Sequence, residues 1–96
     1  MHLLNYDFKS VAQLSRSPKM YKVLQIINKS RFPLNSNSIA HKTDLWQGNV
    51  IGILNRLSNL GVVSEVAGVK RGRMYIVTNK GISALEMMEE LLSSSS

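Results

Sequence analysis

Val50-Ile51-Gly52-Ile53-Leu54-Asn55-Arg56-Leu57-Ser58-Asn59-Leu60-Gly61-Val62-Val63 joins a helix, its stop and the start of a strand in one run. Val50, Ile53, Leu54, Leu57 and Leu60 fall on one stripe at helical period, and Gly61 follows where a left-handed cap favours glycine. Val62-Val63-Ser64-Glu65-Val66 then reads as a β-rich run, answered by a second one, Met74-Tyr75-Ile76-Val77-Thr78. Between them stands Ala67-Gly68-Val69-Lys70-Arg71-Gly72-Arg73, so the two runs predict an antiparallel hairpin with a basic, glycine-containing tip.

Working upstream, Asp44 and Gln47 stand three apart, as in a capping box that opens the striped helix. Ser36-Asn37-Ser38 is rich in capping residues and precedes Ile39-Ala40-His41-Lys42, enough for a short helix of about two turns. Ser17-Pro18 signals an earlier helix start, with Met20, Val23, Leu24 and Ile27 on one face. Phe32-Pro33 ends that helix and leaves Leu34 for a very short strand. Leu4, Phe8, Val11 and Ala12 recur at helical spacing and predict an accessory helix over residues 4–15. Downstream, Asn79 is placed to cap a last helix over 79–92, in which Ile82, Leu85, Met88 and Leu92 share a face while Glu86, Glu89 and Glu90 lie elsewhere. Residues 93–96 are all serine, with nothing to bury, and are expected to be a disordered tail. The expected fold class is α+β, mainly α: four helices, a two-stranded hairpin and a final helix in one domain over 1–92, with its core in 18–78.

Composition narrows the function. The chain has 96 residues, 44% of them apolar, which suits one compact core. Twelve Lys and Arg against 6 Asp and Glu give a net charge of +6, and so a field that attracts polyanions. Cysteine is absent, which excludes disulfides and thiolate metal sites. The start, Met1-His2-Leu3-Leu4-Asn5, has no secretory pattern, and no apolar stretch approaches the ~20 residues that span a bilayer. A cytoplasmic protein with no membrane partner is expected, nucleoid-associated or, for a viral protein, in the host cytoplasm. His2 and His41 have no carboxylates at ligand spacing, and no glycine loop suits a bound phosphate, so no metal, cofactor or enzymatic activity is expected. Little volume is left for a small-molecule ligand.

The residues Ser38-Ile39-Ala40, Gly48-Asn49-Val50, Ile53 through Val63, and Arg73 through Gly81 together resemble the winged helix-turn-helix superfamily. The likeness is to small regulators of the MarR, ArsR and PadR type from bacteria, archaea and archaeal viruses, and it covers roughly residues 18–92. It implies a transcriptional regulator that reads double-stranded DNA with the Leu54/Leu57/Leu60 helix in the major groove and lays the hairpin on the backbone or minor groove. On that reading the helix offers Gln47, Gly48, Asn49, Gly52, Asn55 and Arg56. Asn and Gln pair bidentately with adenine and Arg with guanine or phosphate, while Gly48 lets a phosphate approach the helix start. Lys70, Arg71 and Arg73 at the hairpin tip supply phosphate contacts, with Ser38 and Lys42 as further backbone contacts.

Trp46 departs from the resemblance, standing where relatives place Ser, Thr or Pro. A ring packed over the turn is favoured over one lying against a sugar-phosphate edge, because a lone tryptophan is usually mostly buried. The terminal helices carry more apolar faces than a small core absorbs, so Leu4, Phe8, Val11, Ile82, Leu85, Met88 and Leu92 are the expected homodimer surface. The rival readings are a winged-helix protein-interaction module in a transcription or replication assembly, and a nonspecific nucleic-acid binder. The basic hairpin favours DNA over the first of these.

Overall fold

The computed structural model describes residues 8–66 and 72–94, so Leu4, Lys70 and Arg71 lie outside the described residues, as does the rest of the hairpin tip before Gly72. The elements run α1 (Phe8–Arg16), α2 (Pro18–Lys29), α3 (Ser36–Thr43), α4 (Gln47–Leu60), β1 (Val63–Val66), β2 (Met74–Val77) and α5 (Asn79–Ser94). The order and types match the sequence reading, and the helical stripes supply the core. Val23, Ile39, Val50, Leu57 and Val62 are fully enclosed, with Leu14, Met20, Leu24 and Leu54 beside them. α3 packs on α2 and α4, α1 packs on α2 and α5, and α5 also leans on α2 and β2.

The starts of α2 and α3 have local causes. The Ser17 hydroxyl accepts the Met20 N–H at 3.3 Å, with Pro18 in the first turn where its missing N–H costs nothing. At α3 the cap is Asn35, one residue before the expected Ser36-Asn37-Ser38 cluster; its Oδ1 accepts the Ser38 N–H at 2.8 Å. The shift brings Ile39, Ala40 and Thr43 to the inner side, where all three are buried. The expected Asp44–Gln47 capping box does not form. Asp44 instead ends α3 in the left-handed conformation, φ +60°, which the short polar side chain of aspartate tolerates better than most. Trp46 therefore stands at the α4 cap position, and its side chain makes no capping hydrogen bond.

One knot of backbone contacts joins α4, the hairpin and α5. Gly61, at φ +79°, donates to the Ser58 carbonyl while Val62 donates to the Leu57 carbonyl, the paired bonds of a Schellman stop. The Thr78 N–H donates to the Val62 carbonyl at 3.0 Å, and the Thr78 hydroxyl donates to the Gly61 carbonyl at 2.7 Å. The same hydroxyl accepts the Gly81 N–H at 3.1 Å, so Thr78 rather than the expected Asn79 bonds the start of α5. Gly81 is buried there: a Cβ would overlap the Val62 carbonyl oxygen and stand 2.7 Å from Val77 Cγ1.

β1 and β2 pair antiparallel with Val63 opposite Val77 and Val66 opposite Met74. Leu34 adds a one-residue third strand, exchanging both backbone bonds with Tyr75 at 2.8 and 3.2 Å. α5 continues through Ser94, into the serine run expected to be disordered. Three residues expected on a dimer face are core of the single chain instead: Val11, Leu85 and Met88 are all buried, because α1 and α5 close onto each other and onto α2. In α1 the buried positions are Ser10, Val11 and Leu14, while Phe8 and Ala12 face out. Phe8, Ile82, Leu91 and Leu92 remain as exposed apolar groups on the two terminal helices.

Candidate nucleic-acid interface

The inner side of α4 holds Val50, Ile53, Leu54 and Leu57 in the core, which fixes what its outer side presents. Gln47, Gly48, Asn49, Gly52, Asn55 and Arg56 are all exposed. At 100° per residue they divide into three bands. Gly48, Gly52 and Asn55 lie furthest from the core, Asn49 and Arg56 flank them on one side, and Gln47 lies on the other. Neither α3 nor α4 contains an acidic residue.

An open concavity of about 460 Å³ lies between α4, the start of α3 and strand β2. Gln47 and Asn55 line it together with Arg73 and Tyr75, so folding brings the hairpin arginine to the same hollow as the α4 amides. The Gln47 Nε2 donates to the Ser36 hydroxyl at 3.3 Å, tying the start of α4 to the start of α3. Ser38 and Lys42 line a separate hollow of about 300 Å³ with Asn37 and His41. Lys42 is exposed there, whereas Ser38 is half-buried with its N–H on the Asn35 side chain.

Three features escaped the sequence reading. Trp46 is 80% exposed instead of packed over the turn, because Leu45 occupies the inward position and packs against the core. Ile51 lines the α4–β2 concavity at 46% exposure, although isoleucine is among the most buried residue types. Arg73 is not a lone cation: its Nε lies 3.2 Å from the Glu65 carboxylate across the hairpin. The pairing of Glu65 with Tyr75 in register placed that carboxylate near Arg73, a relation readable only once strand register is known. Among the described residues no group of three or more His, Cys, Asp or Glu is placed to hold a metal. None of the helices searched among them is long and apolar enough to cross a membrane.

A short helix, a three-residue turn, a longer helix with a polar outer side and a hairpin at its flank define one architecture. Solved structures share it. A MarR-family transcriptional regulator from a Rhodococcus species superposes with a TM-score of 0.75 over 90% of this chain, at 15% identity. The chain has the winged helix-turn-helix fold. MepR, a transcription regulator of a multidrug efflux pump of Staphylococcus aureus, matches with a TM-score of 0.76 over 91% of the chain at 16% identity. TubR of Bacillus thuringiensis serovar israelensis, solved on 24 bp of tubC, matches over 86% of the chain with a TM-score of 0.73 at 21% identity. The winged helix spans 62% of the Rhodococcus protein and 67% of MepR, against 91% of TubR. No family model matches the sequence, and no curated protein matches it either. At these identities the likeness establishes the fold: α3 and α4 form the helix-turn-helix, and the β1–β2 hairpin is the wing.

Proposed function

We propose that this winged helix is a transcriptional regulator that binds double-stranded DNA as a homodimer. α4 enters the major groove and presents Gln47, Asn49, Asn55 and Arg56 to base edges, with Gly48 and Gly52 at the point of nearest approach. The wing, with Arg73 and the Lys70 and Arg71 of its tip, lies along the backbone or in the adjacent minor groove. Ser38 and Lys42 of α3 add phosphate contacts.

The observation that carries the reading is the outer side of α4, free of carboxylates and bearing carboxamides, which shares one concavity with the wing arginine. Charge placement supports it further, since three of the chain's six acidic residues, Glu86, Glu89 and Glu90, sit on α5. The matched proteins support it too: two are described as transcription regulators and one was solved on duplex DNA. For the dimer, the support is the set of exposed apolar groups Phe8, Ile82, Leu91 and Leu92 on helices that pack against each other.

Selection of bound duplexes from a random pool at near-physiological salt tests the proposal, with the mass of the free protein measured alongside. The expected product is an inverted repeat with half-sites one helical turn, about 34 Å, apart, bound by a dimer. Binding without enrichment would remove base reading, and absence of binding would remove the function altogether.

A further inference from the structure

Gln47, Ile51 and Asn55 stand four residues apart on one ridge of α4, and all three line the concavity shared with Arg73 and Tyr75. Ile51 is the odd member. Single exposed apolar residues are common on protein surfaces and need no account in themselves. The flanks of this one make it informative. Each ridge neighbour ends in a carboxamide, whose donor and acceptor match N7 and N6 of adenine in the major groove. The thymine paired to that adenine carries its C5 methyl on the same groove edge, the apolar group of the major-groove pattern. An aliphatic side chain set between two carboxamides therefore complements the edge of A·T pairs in both its polar and its apolar parts. Gly52, the next residue, leaves open space beside Ile51, because a Cβ there would meet nothing within 4 Å.

We propose that Ile51 is a specificity-determining residue whose side chain packs on the C5 methyl of a thymine, while Gln47 and Asn55 read neighbouring adenines, so that each half-site centres on A·T pairs. The proposal rests on the duplex-binding reading above and deepens it by naming the bases that α4 prefers.

The test takes the selected duplex and replaces each thymine in turn with deoxyuridine, which deletes the methyl and keeps base pairing. Wild-type protein is expected to lose about three- to fivefold in affinity at one or two positions, the contribution of roughly one buried methyl-sized group. Ile51→Ala is expected to bind the thymine duplex more weakly and to show no difference between thymine and uracil at those positions. Ile51→Val keeps a branched tip and retains part of the discrimination. The melting temperature of each variant reports whether it is folded, and the exposed position of Ile51 predicts that both are. Equal affinity of wild-type protein for every substituted duplex would overturn the proposal, as would discrimination that persists in Ile51→Ala; either result leaves duplex binding intact. Failure of the wild-type protein to bind any duplex would overturn both readings together.

Discussion

Gly52→Ala separates the needs of the fold from the needs of the interface. Gly52 lies mid-way along the 14-residue α4, is exposed, and is absent from the positive-φ residues, so alanine fits its backbone without strain. A Cβ built there meets nothing within 4 Å, so no packing penalty offsets the gain in helix propensity. Glycine in a helix interior is about 0.8–1.0 kcal/mol worse than alanine, and here the full difference should appear as stability. For a domain of this size, 1 kcal/mol raises the melting temperature by roughly 4–8 °C. The same methyl stands on the band of α4 furthest from the core, where the helix would approach bases most closely. We expect binding to the selected duplex to weaken about tenfold or more, equivalent to about 1.4 kcal/mol. The salt dependence should be unchanged, since no charge is removed. Calorimetric melting at fixed protein concentration and titration of a labelled duplex measure the two effects. A variant that melts no higher would refute the helix argument. One that melts higher and binds equally well would show that this side of α4 does not face DNA.

Three further outcomes follow from the same geometry. Glu65→Gln releases Arg73 from its 3.2 Å ion pair, so affinity for any duplex should rise while melting shifts by less than about 1 kcal/mol, as expected for an exposed pair. Arg73→Ala should instead weaken specific and random duplexes alike and lower the salt slope by about 0.9; a loss confined to one sequence would contradict a phosphate role. Gly81→Ala should cost about 3 kcal/mol in urea denaturation, because its Cβ overlaps the Val62 carbonyl; an unchanged midpoint would contradict the close approach of α5 to the α4–β1 junction. Trp46 is the single tryptophan and is 80% exposed, so free protein should show the red-shifted emission of a hydrated indole, altered on adding duplex. A blue-shifted emission in the free protein would mean that the ring packs over the turn after all.

Most of the architecture was legible because its determinants are local or periodic. The Val50–Leu60 stripe, Gly61 and the two β-rich runs each carry their meaning within a few residues, and Thr78 and Gly81 tie those same segments into one knot. The cap positions were less legible. Asn35, Ser36 and Ser38 are all capping types, and only the burial of Ile39 and Thr43 decides which of them starts α3. Asp44 is among the best residues for starting a helix but also tolerates the left-handed conformation, and that φ follows from the geometry of the α3–α4 turn. The surplus apolar faces of α1 and α5 were overcounted, since Val11, Leu85 and Met88 turn inward on one another's helices. The exposure of Trp46 was illegible for a similar reason: Leu45 beside it competes for the one inward place, and composition does not say which residue wins.

The places where local reasoning fails are not scattered. The inner side of α4 obeys every rule of a core helix, whereas its outer side and cap break four of them. The cap has no side-chain bond, Trp46 stands in water, and Gly48 and Gly52 weaken the helix without any steric requirement; Ile51 is exposed where a charged residue would serve stability better. Each departure is small, and a single substitution would mend it: Trp46→Ser for the cap, alanine at either glycine, Ile51→Lys for the surface. Gly61 and Gly81 are different, because a positive φ and a backbone collision make them necessary to the fold. A chain shaped for stability alone has no reason to gather four mendable faults at the cap and on the outer side of one helix. A surface that must admit a groove edge closely, present one aliphatic group and leave the first-turn amides open to an anion has a reason for all four. That coincidence supports the proposed placing of the interface on α4 without appeal to any likeness to other proteins.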